Sequence, residues 1–473
     1  MAALPDWVLK HKTKGVAIEK RGDRFYATRI TSVWDKEKKR PVKKTLEYLG
    51  VVTPEGIVPP KHKQPINLGG ILEAGNIQLI RHFTKDLEAP LRRHFPNEWQ
   101  TILAAATLRI AYGSPLGRMK FHHDTSATSQ YWPRAHLSKN TATKLLETIG
   151  RANIARLRFY EDVRDGESYI AVDLSHVLST SQKNPLVEYG RHGTGDLVDQ
   201  VALVLLWCME KKVPGYLHLL PGAIADASTL VESVQESGIK DAIVVGDRGF
   251  YSAKNESSLI QAGLGYVLAM SRNMGFLEHR PHSEFTNHFL YNDRVQWCRV
   301  QQLDPARQVV WFLDKEIAAR EEKTFLQSIA KGDATKAEWK ERRWMFGTIG
   351  ILTNTGMAPE KVWQLYRERG RIEDAFRLLK GPLGADQTHM QSAMAMEGYF
   401  FILFIALHIY TRMIDHAKRK GILDGLGMPD ILWRLSKVYA VDIDGTWIAR
   451  PRSKQVQRLI DGLEVPITEN LGD

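Results

Sequence analysis

Two stretches, Tyr169-Ile-Ala-Val-Asp173 and Ala242-Ile-Val-Val-Gly-Asp247, decide the reading of this chain. Each is a short apolar run rich in β-branched residues. That is the pattern of a strand buried on both faces, and such strands belong to the interior of an α/β sheet. Each run then delivers an aspartate, and a carboxylate there is costly to bury unless it is paired or metal-bound. Taken singly, either aspartate is most simply an N-cap or turn residue. Taken together, on strands of one sheet that can lie side by side, Asp173 and Asp247 point to a metal site.

Outward from these runs, residues 168–271 alternate β and α. Val201–Cys208 and Tyr216–Leu220 read as strands and Ala227–Ser237 as a helix; another helix begins near Ser252, and Gly265–Ala269 closes the region. Val295–Val300, Val309–Leu313 and Phe346–Leu352 read as β, with a charged helical stretch from Lys315 to about Arg343 among them. From Pro359 the chain is helical, and Phe400–Ile409, apolar all round, reads as a buried helix. Upstream, Leu79, Ile80 and Phe83 share a helical face, as do Ile102, Ala105, Ala106 and Arg109. Ser138 suits the N-cap of a helix carrying Leu145, Leu146 and Ile149. This part reads as a scaffold, with a helix-turn-helix contribution to DNA contact left open. His122-His123-Asp124 reads as a polar loop.

The chain has 473 residues, enough for two or three domains, and a net charge of +11. The first 65 residues hold 15 Lys/Arg against 7 Asp/Glu, so +8 of the excess sits there. That concentration predicts a polyanion contact, with Lys36, Lys38, Lys39, Arg40, Lys43 and Lys44 as candidates. Val16–Lys20, Arg24–Trp34 and Pro41–Leu49 read as strands around turns at Arg21-Gly22-Asp23 and Lys36–Arg40, ahead of a proline-rich linker ending at Pro65.

Two cysteines, Cys208 and Cys298, exclude a disulfide scaffold and a four-cysteine zinc site, and both read as core. His279, His282 and His288 with Cys298 are spaced too irregularly for zinc. No secretory-type apolar segment opens the chain, and the greasy run Tyr399–Leu407 falls short of the roughly 20 residues that span a bilayer. A soluble, cytoplasmic protein with no membrane partner is expected.

A third acidic residue lies in Tyr366-Arg-Glu-Arg-Gly-Arg-Ile-Glu-Asp-Ala-Phe-Arg-Leu-Leu-Lys380. Read as one helix with Tyr366 at zero, Arg369 falls near about −60°, Glu373 near −20°, Arg377 near +20° and Lys380 near −40°. Ordinary i, i+4 pairing would explain Glu373 beside Arg369 or Arg377. It leaves unexplained why Tyr366 shares the stripe and why cations outnumber the acid. Asp173, Asp247 and Glu373 form an all-oxygen donor set suited to Mg²⁺ or Mn²⁺. Two such ions about 4 Å apart serve phosphodiester chemistry, with the surrounding cations holding phosphates.

These residues resemble the bacterial insertion-sequence DDE transposases that carry the Tyr-x2-Arg-x3-Glu-x6-Lys (YREK) signature, of the insertion-sequence-four type. Tyr366, Arg369, Glu373 and Lys380 match its spacing without a gap. Gly246-Asp247-Arg248-Gly249-Phe250-Tyr251-Ser252 is similar to the family's second acidic block, and Val172-Asp173-Leu174-Ser175 to its first. The resemblance covers about residues 135–420. One departure is Gly398-Tyr399, where many relatives have Gly-His.

The resemblance implies an α/β fold. An RNase H-like catalytic core (166–271 and 355–420) would carry a β-rich insertion domain (272–354). A small basic β module (1–65) and a helical DNA-binding or scaffold region (66–165) would precede the core, and a helical region (421–473) would follow it. It implies Asp173, Asp247 and Glu373 as catalytic, metal-binding residues for two Mg²⁺ ions, with Mn²⁺ able to substitute. Tyr366, Arg369, Arg377 and Lys380 would bind DNA, assisted by Arg248. In relatives that cut through a DNA hairpin, an insertion-domain tryptophan stacks on a flipped base. Trp297 and Trp311 lie on expected strands there, but a core tryptophan is the commoner case.

The implied function is Mg²⁺-dependent cleavage at the terminal inverted repeats and strand transfer of the freed 3′-hydroxyl into target DNA. The partners would be double-stranded DNA, both element ends and target, and a second copy of the chain in a synaptic homodimer. The implied setting is bacterial and nucleoid-associated. Two rival readings are an RNase H-like endonuclease without strand transfer and a domesticated, non-catalytic DNA-binding protein. The presence of all three acids argues against the second.

Overall fold

The β-branched and basic residues of the N-terminal segment form a four-stranded antiparallel sheet in sequential order: β1 (Val16–Arg21), β2 (Arg24–Asp35), β3 (Arg40–Thr53) and β4 (Gly56–Val58). In this computed structural model the described residues are 4–35, 38–60, 68–191, 196–224, 227–272, 274, 282–450, 453–467 and 470–471. Lys36, most of the linker and His279 lie outside them. Val8, Phe25, Ala27 and Val52 form the small core of this sheet. Its strands are of unequal length. β2 and β3 pair from Phe25–Val52 out to Asp35–Arg40, whereas β1 reaches only Arg29 and β4 only Val51. The six pairs from Ile30–Thr45 to Asp35–Arg40 therefore stand as a two-stranded ribbon. This sheet belongs to the smaller of two structural units, Met1–Gly70 with Val441–Thr446; the rest of the chain forms the larger.

In the larger unit, helices including α1 (Trp99–Tyr112) and α2 (Lys139–Arg151) precede the main sheet, and Ser138 caps α2 by accepting from the Thr141 N–H. The chain continues through β5 (Tyr169–Ser179), β6 (Glu188–Arg191), β7 (Leu197–Cys208), β8 (Val213–Pro221), α3 (Ala227–Glu236), β9 (Ile243–Gly246), α4 (Ala253–Gln261) and β10 (Gly265–Ala269). It then passes through β11 (Asn287–Tyr291), β12 (Arg294–Asp304), β13 (Arg307–Leu313), α5 (Lys315–Lys331) and β14 (Thr348–Thr353). Last come α6 (Pro359–Glu368), α7 (Arg371–Lys380) and α8 (Ala393–Arg419).

The strands β8-β7-β5-β9-β10 lie side by side, and only β7 runs against its neighbours. The order and the single reversed strand fit an RNase H-like core. Val201–Cys208 is buried throughout, as a central strand covered on both faces must be.

Four features depart from the sequence reading. The strands of residues 272–354 continue the main sheet: β14 pairs with β10 on one side and β13 on the other, with β12 and β11 beyond. The open edge of β10 offers unpaired N–H and C=O groups, which β14 satisfies. The buried helix is 27 residues long, so α8 is long and apolar enough to cross a membrane, although 83% of its most apolar window is packed inside the protein. His122-His123-Asp124 closes a helix, Met119–Asp124, with His123 buried and hydrogen-bonded to the Thr128 hydroxyl. Residues 421–473 hold two strands, Tyr439–Ile443 and Thr446–Arg450, besides helices.

Gly398, which precedes the departing Tyr399, has a packing role. A β-carbon there would overlap the Leu146 carbonyl, and one at Gly150 would overlap the Met394 carbonyl. Helices α2 and α8 therefore meet backbone to backbone.

Candidate active site

Asp173 lies inside β5, not after its end, and faces Leu205 across the antiparallel pair with β7. Strand β9 runs parallel to β5 in the register Ile243–Tyr169, Val244–Ile170, Val245–Ala171. Asp247 follows the end of β9 directly, so this register leads it towards Asp173, and its carboxylate pushes the Asp173 carboxyl up. The parallel pairing of β9 with β5 thus directs two of the three acids to the same end of the sheet.

The helix expected over Tyr366–Lys380 is two helices. α6 ends at Glu368 and α7 begins at Arg371, with Arg369 and Gly370 at the joint. Around Gly370, a weak helix former, the Ile372 and Glu373 N–H groups bond to the Arg369 and Gly370 carbonyls, the tighter i→i+3 pattern. Tyr366 consequently lies in the last turn of one helix and Glu373 in the first turn of the next. The joint turns the Arg369 side chain inward, where only 9% of it is exposed.

Arg369 Nη2 lies 3.1 Å from Glu373 Oε1 and 3.5 Å from Asp247 Oδ2. The Tyr366 hydroxyl donates to Asp247 Oδ1 at 3.4 Å. Asp247 and Glu373 thus share one guanidinium, whose Nε–H has no partner among the described residues. Asp173 accepts from the Leu174 N–H at 2.9 Å. Burial pushes its carboxyl up to about 6; the Leu174 N–H and Arg369 pull it down, while the Glu373 and Asp247 carboxylates push it up. Burial likewise raises the Tyr366 hydroxyl, and Asp247 adds to the shift.

The other candidates divide. Lys380, at the end of α7, is half-buried, and burial lowers the pKa of its ammonium group. Arg377 is exposed and pairs with Asp374 at 2.9 Å, away from Glu373. Arg248 is exposed. Lys38, Lys39, Arg40, Lys43 and Lys44 are exposed on the N-terminal ribbon, and Lys36 lies outside the described residues. Trp311 is buried and donates to Gln301 at 2.8 Å, so it is a core residue. Trp297 carries the Lys315 ammonium 3.7 Å above its ring.

Two supports escaped the sequence reading. Buried Glu256 accepts from the Tyr266 hydroxyl at 2.5 Å and from Arg307 at 3.2 Å. Ser252 caps α4, and Asn255 donates to the Phe250 carbonyl at 2.7 Å. The block after Asp247 is thereby anchored. Buried Arg109 donates to the Leu383 and Gly384 carbonyls at 2.7 and 2.8 Å and to Ser114 O at 3.1 Å, tying the turn after α7 to α1. An arginine on an otherwise apolar helical face was the signal that could have revealed it.

Among the described residues no group of three or more His, Cys, Asp or Glu is gathered closely enough to hold a metal ion as it stands. By chemistry the set still fits a hard divalent cation: all donors are carboxylate oxygens, and two of the three already share a cation in Arg369.

The family model described as "Transposase DDE domain" matches residues 165–409, a little over half of the chain, and spans Asp173, Asp247 and Glu373. Comparison with curated proteins finds no match. Among solved structures, the piggyBac transposase synaptic complex with hairpin DNA superimposes with a TM-score of 0.40 at 9% identity, covering 76% of this chain and 78% of that one. The Mos1 transposase paired-end complex with the left transposon end gives 0.15 at 12% identity, over 34% and 56%. The chain belongs to the DDE transposase family and is a DNA-cleaving transposase enzyme.

Proposed function

We propose that this enzyme belongs to the YREK group of insertion-sequence transposases, cuts DNA at the terminal inverted repeats of its element and joins the freed 3′-hydroxyl to target DNA. The observation that supports the reading is the Arg369 guanidinium shared by Asp247 and Glu373, with the parallel register of β9 on β5 leading Asp247 towards Asp173. Asp173, Asp247 and Glu373 would hold two Mg²⁺ ions, or Mn²⁺ in their place. When bound, such ions activate a water or 3′-hydroxyl and stabilise the departing oxygen.

The protein's own groups do the positioning. Arg369 keeps Asp247 and Glu373 on one spot, and the Tyr366 hydroxyl orients Asp247. Lys380 and Arg248 bind backbone phosphates, with Arg377 at the rim; the arginines stay protonated and cannot act as bases. Basic residues of the N-terminal module bind the element end. Two ends held together require a homodimer on DNA, in the nucleoid of a bacterial cytoplasm.

The test uses the full chain with Mg²⁺ and duplexes carrying the element end. Asp247→Ala and Glu373→Gln should each abolish cleavage while gel-shift retention of DNA persists; cleavage surviving both ends the proposal. Supplying a pre-cut end with a 3′-hydroxyl should yield joined products. Their absence, with cleavage intact, would favour an endonuclease that does not transfer strands.

A further inference from the structure

The ribbon formed by the outer halves of β2 and β3 is costly by ordinary standards. Residues 31–35 and 40–45 include no buried side chain, and Trp34 and Val33 are 63% and 48% exposed. A two-stranded hairpin with neither face covered is marginal in water, and exposed apolar residues on it add to the penalty. An occupant that covers the ribbon would offset that cost.

The register shows where its charges point. Directly paired residues of an antiparallel ribbon share a face. Ser32–Lys43 and Trp34–Pro41 lie on one face; Thr31–Lys44, Val33–Val42 and Asp35–Arg40 lie on the other. Lys38 and Lys39 form the tip, where Lys39 takes a positive φ of 41° and the Lys38 N–H bonds to Asp35. Cations therefore stand on both faces and at the end. A ribbon meant to lie flat on an acidic surface would carry them on one face. A second copy of the same ribbon would be repelled.

We infer that this ribbon enters the major groove of duplex DNA, with Lys43 and Trp34 on the face turned to one phosphate wall and Arg40 and Lys44 on the face turned to the other. The major groove is about 12 Å wide and admits a two-stranded ribbon, while the minor groove, about 6 Å wide, does not without distortion. Six pairs span roughly 20 Å, enough to cross the groove. The inference rests on the transposase reading only for the choice of a DNA partner.

The full-length protein is titrated with a fluorescein-labelled 30-base-pair mixed-sequence duplex across a salt series. Replacing Lys38, Lys39, Arg40, Lys43 and Lys44 together by alanine should weaken binding by about tenfold or more. It should also flatten the log–log salt slope by about 3 to 5, near 0.9 for each phosphate no longer neutralised. Trp34→Ala alone should weaken binding with the slope unchanged. Duplexes whose cytosines carry glucosylated 5-hydroxymethyl groups, which fill the major groove, should bind the native protein poorly and the five-alanine variant no worse than plain DNA. Netropsin in the minor groove should leave native binding intact.

An unchanged affinity and slope in the five-alanine variant overturns the inference. So does competition by netropsin instead of the major-groove block. A variant that loses self-association in sedimentation, and not DNA affinity, makes a second copy the occupant and also overturns it. A ribbon that binds in this way in a protein whose Mg²⁺-dependent cleavage is absent would sink the proposed function and leave the groove inference standing.

Discussion

The same secondary structure serves opposite ends in two regions of this molecule. In the main sheet, β7 is buried on both faces along Gln200–Cys208. In the N-terminal ribbon, strands paired in unbroken register leave every side chain from 31 to 35 and 40 to 45 at least partly in water. Packing on both faces fixes a position to within a side chain's width, which is what three acids far apart in sequence need. Pairing without packing leaves charge exposed, which is what a long polyanion can meet. A transposase has use for both.

That contrast can be broken most sharply at charged residues. In the larger unit, Arg156 donates to Glu397 at 3.1 Å and to the Ile149 carbonyl at 2.9 Å, with 9% of its side chain exposed. Arg156→Ala strands the Glu397 carboxylate, whose pKa burial already raises, and should cost about 3–5 kcal/mol in urea unfolding. Lys43→Ala on the ribbon should stay within about 0.5 kcal/mol. Comparable losses from the two would erase the distinction.

Apolar residues sharpen it at a lower level. Leu205, fully buried opposite Asp173, should cost about 2–5 kcal/mol when cut to alanine, whereas Val33→Ala should cost less than about 0.5. Equal midpoints for the two variants would mean that the ribbon is covered in the free protein.

The smallest effect is a dependence on pH confined to the larger unit. Burial lowers the His408 pKa below its ordinary value, so protons bind the unfolded chain more readily below about pH 6.5. Burial opposes ionisation of Asp86, yet the His408 ring and the Arg412 guanidinium beside it outweigh this and hold the carboxyl at about 2. Its contribution is present above about pH 4 and fades as pH falls towards 2. Both groups therefore weaken the fold in acid. The melting temperature should fall between pH 7 and pH 5, and His408→Gln should flatten that part of the profile. An identical slope in the variant would remove His408 from the account.

Much of this was legible in the order of residues alone. The runs at 169, 201, 242 and 265 became adjacent strands because apolar, β-branched segments have few other places to go. Ser138 caps α2 as its position suggested, and the helix expected near Ser252 starts there. What sequence periodicity could not supply was pairing. Nothing local to β9 says that it joins β5 in parallel two residues short of Asp173, nor that β14 would extend the sheet where a separate insertion domain was expected. The break at Arg369-Gly370 was also hidden, since a single glycine is tolerated in many helices. Here it redirects Arg369 from a surface stripe to the space between two acids.

The backbone contact between Gly398 and Leu146 crosses the boundary of the family's domain. The stretch that carries the family's likeness begins at residue 165, yet its longest helix is seated on α2, which precedes that boundary. Arg109, earlier still, fastens the turn that follows Glu373. Evolutionary kinship and mechanical autonomy therefore draw different borders. An excised catalytic fragment would expose a greasy 27-residue rod, so the upstream helices are part of the enzyme's chassis and cannot be treated as a detachable accessory.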